Sequence, residues 1–192
     1  MRIDIDQQKV SARDKFEIYI NGVLTHRASS ELFRMTAMIH LLRNDSNEPV
    51  LTLKKKWRWL KAEYDIEFHN GQTFAFTTVS TWKSHYRCAL GSDRFDIYGH
   101  RGRKHSIFKN DVQTAWWDKR AVSWFDGDNY AITANDDCVP ELLITFCLII
   151  DNCRSNRNKG NFITIDSGNL IEARRFDAAW QPNSVVNSEG HG

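Results

Sequence analysis

From residue 14 to residue 133, apolar and polar positions alternate with a period of two, the pattern of strands that bury one face. Phe16, Ile18 and Ile20 alternate with Glu17 and Tyr19. Asn21-Gly22 then suits a tight hairpin turn, and the chain returns through residues 23–27. Tyr64, Ile66 and Phe68 alternate with Asp65 and Glu67 before Asn70-Gly71 turns the chain into Phe74, Phe76 and Thr78. Phe95 and Ile97, followed by a loop at 99–104, form a third instance, and residues 38–42 followed by RNDSNEP read as a further strand and turn. The openings KFEIYING, YDIEFHNG and FDIYGHRG share an aromatic residue, an acid, an isoleucine and a Gly-bearing turn in one order. A divergent hairpin repeat and an ordinary antiparallel meander both fit that pattern. Residues 32–42 pass as either helix or strand, since Phe33, Met35, Ala37, Ile39 and Leu41 also fit period two, and their neighbours favour strand.

The alternation stops at CVPELLITFCLIID, residues 138–151, where only Pro140, Glu141 and Thr145 interrupt an apolar run between Val139 and Ile150. Asn135, Asp136 and Asp137 precede it as helix-capping residues, and Pro140 and Glu141 suit a first helical turn. A helix over 139–150 is about 18 Å long at about 1.5 Å per residue, against about 30 Å of bilayer hydrocarbon, so it does not cross. Being apolar all round, it needs protein all round. Rolling the hairpins into a barrel about it supplies that, with strand residues packing on Leu142, Leu143, Phe146, Leu148, Ile149 and Ile150, and removes sheet edges as well. The expected fold is therefore mainly β: a closed antiparallel β-barrel around a central hydrophobic C-terminal α-helix.

At 192 residues, 41% hydrophobic and 26% charged, the chain has the composition of one globular domain with a tail, and its net charge of +2 gives no bulk attraction to nucleic acid or membrane. Any electrostatic partner has to be caught by a local patch. Cys88, Cys138, Cys147 and Cys153 form no C-x-x-C pair and read as reduced structural thiols. MRIDIDQQKV carries acids and no apolar core segment, which argues against a secretory signal and for a cytoplasmic protein. The expected organisation is a barrel over 1–153, with its helix at 138–151, and an extension over 154–192. In that extension RSNRNKGN is a polar loop, FITIDSGNLIEA one more hairpin, and QPNSVVNSEGHG a disordered end.

DKFEIYING at 14–22, KKKWRW at 54–59, YDIEFHNG at 64–71 and PELLITFCLIID at 140–151 together resemble the LURP-one-related family, over about residues 10–153. That family is grouped with the tubby C-terminal-like domains, which include tubby and the phospholipid scramblases. The resemblance implies about twelve antiparallel strands around a central helix. It implies little about activity: tubby reads phosphoinositides through a basic surface, scramblases are calcium-linked membrane proteins, and the LURP-one-like proteins have no agreed biochemical role.

Under period two, Leu51, Leu53, Trp57 and Trp59 share one face with Lys55, while Lys54, Lys56 and Arg58 line the other as a ridge suited to phosphates or anionic headgroups. The competing reading pairs those lysines with Asp65 and Glu67 on the next strand. His100, Arg101, Arg103, Lys104 and His105 put a second basic cluster in the third hairpin loop, where glycines expose backbone donors. DGDNYAITANDD resembles the acidic calcium-linked segment of scramblases, with Asp126, Asp128 and Asp137 at the first, third and twelfth places. Tyr130, Ala131 and Ala134 stand where such a loop needs an oxygen ligand, a glycine and another oxygen ligand, and a turn, a strand and a helix cap account for the same residues.

The histidines show no metal-ligand spacing, and no nucleophile or phosphate-loop motif is present. Cys88 with His85 and Asp93 can be drawn as a nucleophile and helpers, but a strand cysteine is more readily an inward-facing side chain. Seven tryptophans, among them Trp116, Trp117 and Trp124, suit a barrel core better than base stacking at this charge. The expectation is a non-enzymatic domain with no cofactor and no nucleic-acid partner. It binds an anionic phospholipid headgroup or membrane surface weakly or, alternatively, serves as a protein-interaction scaffold.

Overall fold

The computed structural model describes residues 1–10, 13–32, 37–56, 63–121, 128–159 and 173–183. Twelve antiparallel strands close into a barrel in chain order: β1 (Arg2–Val10), β2 (Arg13–Ile20), β3 (Val23–Leu32), β4 (Ala37–Arg43), β5 (Pro49–Lys56), β6 (Glu63–Phe68), β7 (Thr73–Ser80), β8 (His85–Leu90), β9 (Asp93–Gly99), β10 (Lys104–Lys109), β11 (Val112–Ala121) and β12 (Asp128–Ala134). One helix, α1 (Pro140–Lys159), follows. Asn21 and Gly22 both take positive φ, as the tight β2–β3 turn requires. The ambiguous 32–42 stretch contains the end of β3 and the strand β4; Phe33 and Met35 lie outside the described residues.

Closure depends on a strand that the sequence reading missed. Without any continuous apolar run, the N-terminal segment still supplies core residues: Ile3 and Ile5 in β1 are fully buried, and Gln7 follows them inward. Ile3 pairs with Ile132 of β12 on one side and Ile20 of β2 on the other, so β1 joins the last strand to the second. Asp4 and Asp6 occupy the alternate positions, which is why the segment looks acidic while obeying the same period of two.

Residues 142–150 of α1 are all buried, as a helix surrounded by a barrel wall must be. The Phe146 ring lies 5.8 Å from that of Phe76 on β7 and 5.6 Å from that of Phe95 on β9. Each large apolar side chain taken out of water in this way contributes about 1.5–3 kcal/mol. In the turn before α1, Asp136 pairs with the terminal amine of Met1, and Asn135 accepts a hydrogen bond from the Asn183 amide. The helix begins at Pro140, with Glu141 as the acid of its first turn. It also runs past Asp151 to Lys159, because the polar residues from Asn152 onward suit a helix leaving the barrel as well as they suit a loop. No helix among the described residues is long and apolar enough to cross a membrane.

Strand alternation gives the barrel two ends. The connections β2–β3, β4–β5, β6–β7, β8–β9 and β10–β11 lie at the lower end, where α1 enters. The connections β1–β2, β3–β4, β5–β6, β7–β8, β9–β10 and β11–β12 lie at the upper end, where α1 emerges. The expected hairpin FITIDSGNLIEA and residues 184–192 lie outside the described residues. Residues 173–183 form a strap on the outer face of β9, β10, β11 and β12, and part of the end read as disordered, Gln181 to Asn183, belongs to it. A closed barrel offers no edge for the strap to pair with, and side chains attach it. The Arg174 guanidinium stacks 3.7 Å from the Phe108 ring centroid, Phe176 meets Trp116 edge to face at 5.5 Å, and Asn183 bonds to Asn135.

Candidate functional site

The described part of the first basic ridge, Lys54 and Lys56, is occupied by its own sheet. β5 and β6 pair with Lys54 opposite Asp65 and Lys56 opposite Glu63. Lys54 Nζ lies 2.6 Å from Glu67, and Lys56 Nζ lies 2.7 Å from Asp65 and 3.6 Å from Glu63. The hydrogen bond to Asp65 and the neighbouring carboxylates raise the Lys56 pKa, so the charge stays but is locally neutralised. Leu51 and Leu53 point into the core, as period two requires. Trp57, Arg58 and Trp59 lie outside the described residues.

The second basic cluster is placed differently. The β9–β10 connection is a single 3₁₀ turn, Arg101–Arg103, with both arginines exposed. The His100 amide donates to the Lys104 carbonyl at 2.8 Å, closing the base of the loop, and Gly102 and Arg103 both take positive φ. Lys104 turns outward under the strap, its Nζ 5.8 Å from the Trp116 centroid and 5.0 Å from that of Phe176. His100 and His105 are buried, His100 bonding Ser106 Oγ at 2.7 Å and His105 stacking on Trp117. The basic cluster in the sequence is therefore an exposed arginine pair flanked by structural residues.

Directly beside this loop stands the β7–β8 turn, which the sequence reading passed over. Gly99 donates its amide to the Ser84 carbonyl at 2.8 Å, and a Cβ on Gly99 would lie 2.6 Å from Ser84 Cβ. Only glycine permits that approach. The contact fixes Trp82, 73% exposed, and exposed Lys83 next to the arginine loop. Among the described residues Lys83 and Arg103 make no ion pair. Its signal in the sequence is STWKSH: a tryptophan in a polar turn, where no strand needs a core residue.

The β5–β6 hairpin, the arginine loop and the emergent α1 thus share the upper end, while β6, β7 and β8 separate β5 from β9 around the wall. On that wall Asp96 gathers His85 Nε2 at 2.7 Å and the Nε atoms of Arg87 and Arg94 at 2.9 Å each. Burial alone would raise the Asp96 carboxyl, but hydrogen bonds from His85 and Arg87 outweigh it and hold the pKa below the ordinary carboxylate value. These cations are spent on structure in the same sense as Lys54 and Lys56.

The imagined nucleophile is not assembled. Tyr86 and Cys88 point inward, while His85 and Arg87 point outward to Asp96, so His85 and Cys88 lie on opposite faces of β8. Burial pushes the Cys88 thiol up to about 12, far from a thiolate at neutral pH. Inside the upper barrel, Asp151 accepts hydrogen bonds from Lys119 at 3.1 Å and from the Tyr130 hydroxyl, beside Cys147 and His105. The space among them holds about one water molecule, too little for a substrate.

The calcium arrangement is not assembled either. Asp126 lies outside the described residues, Asp128 opens β12 at the upper end, and Asp137 stands in the turn beyond its lower end, roughly 20 Å away along the strand. Among the described residues no three His, Cys, Asp or Glu side chains group as metal ligands.

No curated protein and no solved structure gives a significant match. The family model described as LURP-one-related matches residues 1–151, which takes in β1 and reaches the Asp151 that Lys119 and Tyr130 hold. The match covers more than half of the chain and the whole barrel, and the protein belongs to the LURP-one-related family.

Proposed function

We propose that this LURP-one-related barrel is a binding domain, not an enzyme, and that it docks its upper end on an anionic membrane surface. One observation carries the reading: Trp82, Lys83, Arg101 and Arg103 project from two adjacent connections at one end, clamped together at Gly99 and Ser84. An exposed tryptophan among cations suits the headgroup layer, where the indole sits at the interface and basic side chains meet lipid phosphates. A cation near such a surface is worth about 1 kcal/mol, so a few give weak, reversible attachment. Lys54 and Lys56 contribute less, because Glu67, Asp65 and Glu63 already offset them.

The same residue types form hot spots for protein partners, and one experiment separates the two readings. Purified protein is floated with neutral phosphatidylcholine vesicles and with vesicles containing phosphatidylserine. The expected result is binding to the anionic vesicles only, weakened several-fold by Trp82→Ala with no change in melting temperature. Absence of binding to either vesicle would overturn the membrane reading and leave the upper end as a surface for an acidic protein.

A further inference from the structure

The arginine loop is contacted from outside its own hairpin, by Phe176. Gly102 at φ 73° and Arg103 at φ 64° are consecutive left-handed residues, and a non-glycine side chain is disfavoured there unless its surroundings enforce it. The two residues that bracket the 3₁₀ turn, His100 and Lys104, both rest on one side chain from a distant part of the chain. The Phe176 ring lies 5.2 Å from the His100 ring and 5.0 Å from Lys104 Nζ. Phe176 is in turn held edge to face against Trp116 at 5.5 Å, and Arg174 anchors the strap two residues earlier on Phe108.

We propose that the C-terminal strap positions the cationic loop, with Phe176 as the positioning residue, so that closing or releasing the strap tunes how the upper end meets an anionic surface. This rests on the membrane reading given above for its consequence, but not for the coupling itself. The strap is built to be releasable. Among the described residues it pairs with no strand, and its backbone meets the barrel at Asn183, whose amide donates to Asn135 Oδ1 at 2.8 Å and whose carbonyl accepts from the Asp136 amide at 3.3 Å. Beside Phe176 runs an open groove of about 270 Å³ lined by Trp116, Thr133, Trp180 and Gln181, so the strap is not sealed against the wall along its length. Lys104 changes role with the strap: while the strap is closed its charge is held over Trp116 and Phe176, and without Phe176 one of those two rings is gone.

The test is hydrogen exchange by mass spectrometry on the full chain, comparing wild type, Phe176→Ala and Phe176→Tyr, with flotation on phosphatidylserine vesicles alongside. Peptides covering residues 99–105 should exchange at least several-fold faster in Phe176→Ala, peptides of β4 and β5 should not change, and Phe176→Tyr should restore the wild-type rate. Vesicle binding and its salt dependence should shift in Phe176→Ala and return in Phe176→Tyr. Equal exchange at 99–105 in all three proteins would overturn the coupling, as would faster exchange spread over the whole barrel. Faster exchange at 99–105 with vesicle binding unaltered would overturn the tuning. If wild type binds no vesicle while the exchange difference persists, the membrane reading fails, and with it the tuning, while the positioning role of Phe176 stands.

Discussion

Two basic regions look alike in the sequence and differ in the folded barrel. At β5, Lys54 and Lys56 alternate with core residues and face Asp65 and Glu67 across the sheet, so each cation has a carboxylate partner within 2.7 Å. At the β9–β10 loop, Arg101 and Arg103 leave the sheet altogether and stand exposed beside Trp82 and Lys83. A cation within a ladder meets whatever the register places opposite it, whereas the neighbours of a cation in a connection are set by the conformation of the loop. The lesson is that charge density along a chain measures potential partners on the next strand as much as potential ligands.

The largest expected effect removes what both regions depend on. Phe146 is 0% exposed between Phe76 and Phe95, and Phe146→Asp leaves an unpaired carboxylate inside the barrel. A loss of more than about 4 kcal/mol is expected, read as insoluble expression; a soluble, cooperatively melting variant would show that α1 does not fill the barrel. Next comes the clamp at the upper end alone. Gly99→Ala should cost about 1–3 kcal/mol through its contact with Ser84, checked by denaturant midpoint, and an unchanged midpoint would mean that the two connections are not locked together.

A smaller effect belongs to the wall. Asp96 and Glu141 have depressed carboxyl pKa values, Asp96 despite its burial and Glu141 chiefly through its hydrogen bond with His26. A carboxyl depressed on folding stabilises the native state above its unfolded pKa, about 4, and that contribution is lost as pH falls through the folded value. Melting temperature should therefore drop as pH is lowered from 5 towards 3. Asp96→Asn should flatten that dependence, and an identical pH profile in the variant would contradict the assignment. The smallest effect is expected at Lys54→Ala with Lys56→Ala. Exposed cross-strand ion pairs contribute little, so the melting temperature should stay within a few degrees of wild type, and a large fall would mean that the pairs organise the β5–β6 sheet.

Much of the barrel was legible because period two and the Asn-Gly turns are local signals, and the buried helix because Pro140 to Ile150 is apolar on every side. β1 escaped notice because Asp4 and Asp6 obscure Ile3 and Ile5, and because the partners that close the barrel on one side of it, Ile132 and Tyr130, lie more than a hundred residues away. The continuation of α1 through RSNRNK was hidden since solvent-exposed helix and loop share a polar composition. For the site, Arg101 and Arg103 were visible as charge, but Trp82 and the strap were not. Trp82 joins them through the Ser84–Gly99 contact, and Phe176 reaches Trp116 across the outside of a closed wall. Sequence carries such contacts in residue identity, not in spacing.

The central claim, that function sits at the upper end and not on the β5 ridge, is tested most directly by comparing two double variants in one flotation series. Arg101→Ala with Arg103→Ala, and Lys54→Ala with Lys56→Ala, are titrated with phosphatidylserine vesicles from low to high salt. With about 1 kcal/mol at stake per surface cation, loss of the arginine pair should weaken binding about tenfold or more and lower its salt sensitivity, whereas loss of the lysine pair should change it less than about threefold. Equal losses, or a greater loss from the lysine pair, would contradict the account and return the binding surface to the ridge.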